Sequence, residues 1–387
     1  MFKISPLHRA LHQAFSFGQW RDPRPLATFC HRVCGLIQSE SSHLNRWAPF
    51  ACSRAKYAQS KVRRFMRWLR NDAIEVQPLY APMMASALAS WQSPQLFLTL
   101  DTSHWGKLCQ IALNVVYRGR AVPVVWKVLK HHSSLVAFKD YAAWLRAAKN
   151  VIPKGVDIVL LADRGFADSE LMALCVKLHW HDRLRIKSNF HVYQGDQPLG
   201  SVAELNLPAG SQRFLQGVSI TEQRYGPVNL VLGHSPDGKE KWYVASDETA
   251  GASTFEEYGL RLTIEEFFLD EKSNGFDLEH SALHCPKALT RLLWVHAAAI
   301  LYLVSQGTQV ADSGQRRRMD PHWFRGSSYL RIGWNGVKAA LIHGWHLITR
   351  ICLSKSEDPE PAMASRKQRE KWLKKRAWLA NVMIVQE

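Results

Sequence analysis

The sequence is short of the features that would assign it to several common classes. Its 387 residues hold seven cysteines, at positions 30, 34, 52, 109, 175, 285 and 352. They are odd in number, scattered and never arranged Cys-x-x-Cys, which argues against a disulfide framework and a cysteine zinc site. Despite 17 histidines there is no His-Glu-x-x-His pair and no Cys/His cluster, so zinc chemistry is not expected. No Gly-x-x-x-x-Gly-Lys-Ser/Thr loop occurs, so no nucleotide cofactor is expected to drive a reaction. The N-terminal stretch lacks an apolar core of signal-peptide length. The longest apolar run, Leu292 to Val304, contains His296 and is too short to cross a bilayer. The expectation is a cytoplasmic protein with no membrane contact, and no internal repeat is present.

Acidic residues are also scarce, 33 against 50 Lys and Arg, for a net charge of +17. A disordered polybasic chain would be poor in aromatics, whereas this one has 15 Trp, 16 Phe and 10 Tyr. The charge is unevenly spread. Residues 1–90 carry 13 basic and 4 acidic side chains, 91–189 carry 14 and 7, and 311–387 carry 15 and 7. Residues 190–248 carry 4 and 7, and 249–310 carry 4 and 8. Basic ends and a basic first half around an acidic centre point to a polyanionic partner.

Residues 1–90 read as helical. Ser53 to Asn71 places Val62, Phe65, Met66 and Leu69 at helical spacing behind a capping Ser53, and sets Lys61, Arg63, Arg64, Arg67 and Arg70 on the other surface. With its basic surroundings, this helix is expected to contact DNA rather than serve only as a solvated face. From Leu96 the texture changes. The runs 96–101, 111–117 and 121–129 read as three strands, followed by a helix over 137–150, a strand over 156–163, a helix over 169–180 and a strand over 183–187. The order β-β-β-α-β-α-β predicts a mixed α/β sheet. Residues 190–248 show short alternating strands with turn signals at Gln194-Gly195-Asp196, Tyr225-Gly226-Pro227 and Ser235-Pro236-Asp237-Gly238, the pattern of an all-β insertion. Helix returns over 255–269 and, buried against the sheet, over 288–305. Residues 311–387 form a basic helical C-terminal region, with Arg316-Arg317-Arg318, a linker at Glu357–Pro361 and a basic stretch from Ser365 to Ala377.

Asp101 and Asp163 each terminate an apolar run. At the carboxyl edge of an α/β sheet a carboxylate is solvated, paired or on a metal, and two on adjacent strands could share Mg²⁺; a turn or helix cap is the plainer alternative for either alone. In Tyr258-x2-Arg261-x3-Glu265-x6-Lys272, helical spacing presents a carboxylate beside a cation and a phenol. That arrangement suits a metal-bound phosphate, an ordinary i,i+4 salt bridge being the alternative. Arg164, directly after Asp163, and Arg185 and Lys187 on the last core strand are candidate phosphate contacts, with local ion pairs or a surface strand as equally good readings.

The four-residue pattern matches at every offset the Tyr-Arg-Glu-Lys motif of one branch of the DDE transposases of bacterial insertion sequences. Four fixed residues arise by chance in a chain this long on the order of 0.002 times. Asp101 in LTLDTS and Asp163 in LLADRGF resemble that family's two catalytic aspartates. The resemblance, over roughly residues 90–300, implies a ribonuclease H-like core: 91–189 as its first part, 190–248 as a β-rich insertion, and 249–310 as its second part bearing the glutamate helix. Residues 1–90 would bind DNA ends and 311–387 would help dimerise. It further implies that Asp101, Asp163 and Glu265 hold two Mg²⁺ ions, with Mn²⁺ as a substitute, and that Tyr258, Arg261 and Lys272 contact phosphates. Trp242 would stack on a flipped base, a core tryptophan being the alternative. The expected function is metal-dependent cleavage of double-stranded DNA at terminal inverted repeats and strand transfer into target DNA by a nucleoid-associated homodimer. An inactive DNA-binding repressor or scaffold, or a structure-specific nuclease on the same fold, are the rival readings.

Overall fold

In the computed structural model the residues described are 4–18, 20, 22–51, 55–205, 207, 211–235, 240–272, 275–323, 326–353, 359 and 383–385. The chain opens with five helices, α1 (Pro6–Ala14), α2 (Pro23–Ser39), α3 (Leu44–Trp47), α4 (Ala58–Leu69) and α5 (Val76–Leu88). Side chains of Ser5 and Asp22 cap the first two, satisfying backbone N–H groups that a helix start leaves without partners. The β-branched runs then form β1 (Gln95–Trp105), β2 (Leu108–Tyr117) and β3 (Arg120–Lys130), an antiparallel meander. Next come α6 (Phe138–Ala148), β4 (Asp157–Ala162), α7 (Ser169–Leu178) and β5 (His181–Arg185). Strands β4 and β5 join parallel to β1, giving the order β3-β2-β1-β4-β5. Three antiparallel strands extended by two parallel ones, with helical crossovers, make this a ribonuclease H-like mixed sheet.

The sheet continues beyond β5. Strands β6 (His191–Gln194), β7 (Gln197–Ser201), β8 (Ser211–Ile220), β9 (Tyr225–His234) and β10 (Lys241–Ser246) contain no helix. Strand β10 pairs antiparallel with β5, extending the order to β5-β10-β9-β8-β6-β7. The β-rich segment is therefore hydrogen-bonded to the core sheet edge to edge. The chain returns through α8 (Ala252–Gly259), a 3₁₀ turn over Leu260–Leu262, α9 (Thr263–Glu271) and a second 3₁₀ turn over Leu278–Ser281. It then forms α10 (Pro286–Asp312), α11 (Arg316–Met319), α12 (Tyr329–His343) and β11 (Met383–Val385), which pairs parallel with β8.

Helix α10 is the hub. Of its most apolar 18-residue window 94% is buried inside the protein, although its length and composition would suffice for a membrane span. It is longer than its apolar run because polar Gln306, Thr308 and Gln309 extend the helix without interrupting it. Trp294 stacks on Phe29 at 4.1 Å and on Trp68 at 5.6 Å, tying α2 and α4 to it. His296, fully buried, shares a 2.8 Å hydrogen bond with Ser42, and burial pulls it down to about 3, so it is neutral in the core. The N-terminal helices, α10, α12 and the sheet share one hydrophobic core.

Several local expectations are corrected. Asp101 lies inside β1, because β1 continues to Trp105 as the hairpin partner of β2 after β4 has ended. Helix α4 begins at Ala58 with no side-chain cap, and Ser53 lies outside the described residues. Gly195 and Asp196 do turn the β6–β7 hairpin, Gly195 with φ +58. Tyr225-Gly226-Pro227 instead opens β9, and the reversal precedes it, at Thr221 and Arg224 with φ +66 and +51. Gly226 serves close approach: a Cβ there would stand 2.8 Å from the Val218 carbonyl oxygen. The helix expected over 255–269 is tightened in its middle, where Gly259 to Thr263 have ψ between about −16 and −24, the 3₁₀ range. Arg316 turns inward, 1% exposed and 3.7 Å from buried Asp320, so the arginine triplet is not a uniform basic face. Pro236 to Gly238, the linker apart from Pro359, and the basic stretch 365–377 lie outside the described residues.

Candidate active site

Two neighbouring parallel strands bring the aspartates together. The register that pairs Leu100 of β1 with Ala162 of β4 puts Asp101 and Asp163 at the next step, side by side where β4 ends. Asp101 Oδ1 accepts from the Thr102 N–H at 2.7 Å, and Asp163 Oδ1 accepts from the Gly165 N–H at 2.8 Å. Each carboxylate is thus aimed by its own backbone. A Cβ at Gly165 would stand 3.0 Å from Asp163 Oδ1, so the small residue lets the chain turn close beneath it. Both aspartates line a cleft of about 660 Å³, together with Thr102, Ser134, Arg164 and Lys187.

The glutamate arrives from α9. Ile264, Phe267 and Phe268 bury one face of that helix, while Arg120 of β3 bonds Glu266 at 2.8 Å and lies 3.8 Å from Asp270. Held in this way, α9 presents Glu265, whose side chain is 55% exposed. Arg261, on the 3₁₀ turn, joins the pieces: its Nη1 donates to Asp101 Oδ2 and its Nη2 to Glu265 Oε1, both at 2.8 Å. The guanidinium, 8% exposed, sits among acids from β1 and α9 with Asp163 also within electrostatic reach. Burial pushes Asp101 up to about 6; Asp163 and Glu265 add to the rise, and Arg261 and the Thr102 N–H oppose it.

The remaining candidates are distributed as follows. Tyr258 is 2% exposed and its hydroxyl is pushed up to about 12 by burial, against the pull of Arg261. Trp242 of β10 is 5% exposed and meets Tyr258 and Phe255 edge to face at 5.2 and 6.1 Å. Its packing is that of the core alternative. Lys272, the residue that ends α9, donates to the His104 carbonyl at 3.4 Å and lies 5.7 Å from the Trp105 ring centre. Arg185 donates to Glu240 at 3.0 Å and to the Lys241 carbonyl at 3.1 Å, a local pair across β5 and β10. Arg164 and Lys187 are exposed at the cleft, and Arg63, Arg64 and Arg67 are exposed on α4.

Sequence reading missed a second charged centre. His181 and Asp247 meet at 2.8 Å, and buried Arg183 bonds Glu248 at 2.6 Å and Glu257 at 2.7 Å. Among the described residues, His181, Asp247 and Glu248 are the trio whose ligand atoms lie within 4.8 Å of one another. Arg183 and the Asp182 N–H already occupy these acids, so the centre reads as a clasp between β5, β10 and α8. No spacing signal marks it, because its members come from segments about 65 residues apart.

Residues 110–302 match the family described as the transposase DDE domain, a span that includes Asp163 and Glu265 and begins nine residues after Asp101. No curated protein matches the chain. Among solved structures the chain is similar to the piggyBac transposase synaptic complex with hairpin DNA, at 10% identity and a TM-score of 0.45, over 88% of this chain and 82% of that one. The family match, over 193 of the 387 residues, supports a DDE transposase.

Proposed function

We propose that this protein is the transposase of an insertion sequence of the Tyr-Arg-Glu-Lys branch, cleaving DNA at the element's terminal inverted repeats and joining the freed ends to target DNA. The observation that carries the reading is that Asp101 of β1 lies beside Asp163 at the end of β4 while Arg261 bridges Asp101 to Glu265 of α9.

The donor set fits divalent cations. It consists of carboxylate oxygens, which suit hard ions such as Mg²⁺ and Mn²⁺; two of the acids share the Arg261 guanidinium and Asp163 lies within its electrostatic reach. Two such ions, held by Asp101, Asp163 and Glu265, would supply the positive charge that stabilises the attacking and leaving oxygens of an in-line displacement at phosphorus. The chain's own residues do the rest. Thr102 and Gly165 fix the carboxylates through their N–H groups. Arg261 holds Asp101 and Glu265 together through its two Nη atoms. Tyr258 buttresses Arg261 from the apolar side, with Trp242 packed behind it. Arg164, Lys187 and Lys272 add positive charge along the path of the backbone. In the same reading residues 1–90, with Arg63, Arg64 and Arg67, bind the DNA end, residues 311–387 support a homodimer, and Arg185 steadies the β10 edge.

The test is cleavage of linear double-stranded DNA carrying the native flanking repeats, with Mg²⁺ or Mn²⁺. Asp101→Ala, Asp163→Ala and Glu265→Ala should each reduce cleavage on the order of 10³-fold while leaving the melting temperature within a few degrees. A folded variant that cut as well as wild type would remove that residue from the site. Cleavage without strand transfer would favour a nuclease on the same fold.

A further inference from the structure

Arg32 brings a cation into the interior, and among the described residues no acid meets it. Helix α2 places it 3% exposed against two rings of α4, its Cζ 5.4 Å from the centre of Phe65 and 4.3 Å from that of Trp68. Its Nη1 donates to the Thr28 carbonyl and its Nη2 to the Arg64 carbonyl at 3.4 Å. Its Nε is buried without a hydrogen-bond partner. Among the described residues no carboxylate pairs with it, and burial together with the Arg64 charge pulls it down to about 9. An uncompensated buried charge is among the more expensive features a fold can carry.

The guanidinium lines a cleft of about 50 Å³, several times the roughly 10–15 Å³ that a single water needs. Thr28, His31, Ala51, Lys61, Arg64 and Phe65 complete the lining. Three cationic side chains and a hydroxyl surround the space, and no acid does. Lys61 reaches the Ala48 carbonyl at 3.1 Å. Burial, with His8, Arg32 and Arg64 nearby, pulls His31 down to about 3, leaving a neutral imidazole that can share a hydrogen bond.

We propose that this cleft is an anion site that seats one phosphate of a DNA backbone, with Arg32 as its buried anchor and Lys61 and Arg64 closing over it. Guanidinium groups match phosphate with two parallel hydrogen bonds, and the incoming anion supplies the missing counter-charge. A backbone phosphate is favoured over a small free anion because Arg63 and Arg67, exposed on the same helix, and Arg70, exposed just past its end, extend the positive surface beyond the cleft. The inference rests on the DNA-processing reading above and adds a residue that the basic face of α4 does not include.

The test uses the full chain in EDTA, so that cleavage is not read. Binding to a short labelled duplex of arbitrary sequence is followed by anisotropy across a NaCl series. Arg32→Gln should lower the slope of log K against log salt by about 0.9, the value of one phosphate contact. Inorganic phosphate should raise the melting temperature of wild type above NaCl of equal ionic strength, and Arg32→Gln and Lys61→Gln should abolish that difference. A folded Arg32→Gln with the wild-type slope overturns the proposal, as does a wild type that phosphate does not stabilise. Loss of the phosphate effect with the DNA slope unchanged would make the ligand a small phosphate and overturn the backbone assignment. Should Arg32→Gln not fold, the wild-type phosphate shift and Lys61→Gln still decide. Failure here leaves the carboxylate test untouched, and failure there leaves this binding in place.

Discussion

Asp182 shows how far a single buried carboxyl can govern stability. It is 4% exposed on β5, and burial with neighbouring Asp247 pushes it up to about 8, Arg183 opposing. A folded-state pKa above the ordinary 3.8 means that the native protein keeps a proton the unfolded chain has released. Its contribution to stability is then fully present below that ordinary value and is lost as pH rises through 8. Asp182→Asn keeps the shape and removes the titration. Its melting temperature should exceed that of wild type by a margin that grows between pH 5 and pH 8.5; a constant or shrinking margin in thermal melts would contradict this account. Residues of this kind were not legible in the sequence. Asp101, Asp163, Arg261 and Glu265 were singled out because two apolar runs end in Asp and four residues match a known motif at every offset, whereas Asp182, Arg183 and Arg32 owe their environments to chain segments far away. Trp242 lay between, since its strand was legible and its burial was not.

At the scale of elements, periodicity identified most strands and helices, and it failed where a second element decides the geometry. The 3₁₀ tightening that carries Arg261 is one case; the extension of β1 past Asp101 by its hairpin with β2 is another. The contact between α10 and α12 is a third. A Cβ at Gly333 would lie 1.8 Å from the Leu303 carbonyl oxygen, and one at Gly307 would lie 2.0 Å from that of Tyr329, so the two helices touch backbone to backbone. Gly333→Ala should therefore lower stability by about 2–3 kcal/mol in urea unfolding. Gly259→Ala makes the contrast: φ is −58 and no atom lies within 4 Å of the added Cβ. That change should be neutral or stabilising by about 0.5 kcal/mol. A Gly333→Ala variant as stable as wild type would show that the contact between α10 and α12 does not depend on the missing Cβ.

For the whole molecule, the charge of +17 is spread over basic ends and a basic first half, with the acidic centre between them. If six or more phosphates are neutralised, DNA affinity should fall roughly 10³-fold or more between 50 and 200 mM salt, and a shallow dependence would argue that the basic surfaces serve solubility alone. A mixed α/β sheet was legible from the order of strands and helices, and the family resemblance implied its ribonuclease H-like form. The edge-to-edge joining of β10 to β5 was not, because sequence pattern says nothing about which strands become neighbours across 55 residues. That joining has a mechanical consequence. Ten strands laced by one ladder form a single stiff plate with no seam between β5 and β10. A load on the distal hairpin β6–β7 should therefore reach β5 and β4, and the strand end that carries Asp163, through the ladder of β10. In the proposed reaction, flexure beside the phosphate should then fall to the connecting turns that flank the plate.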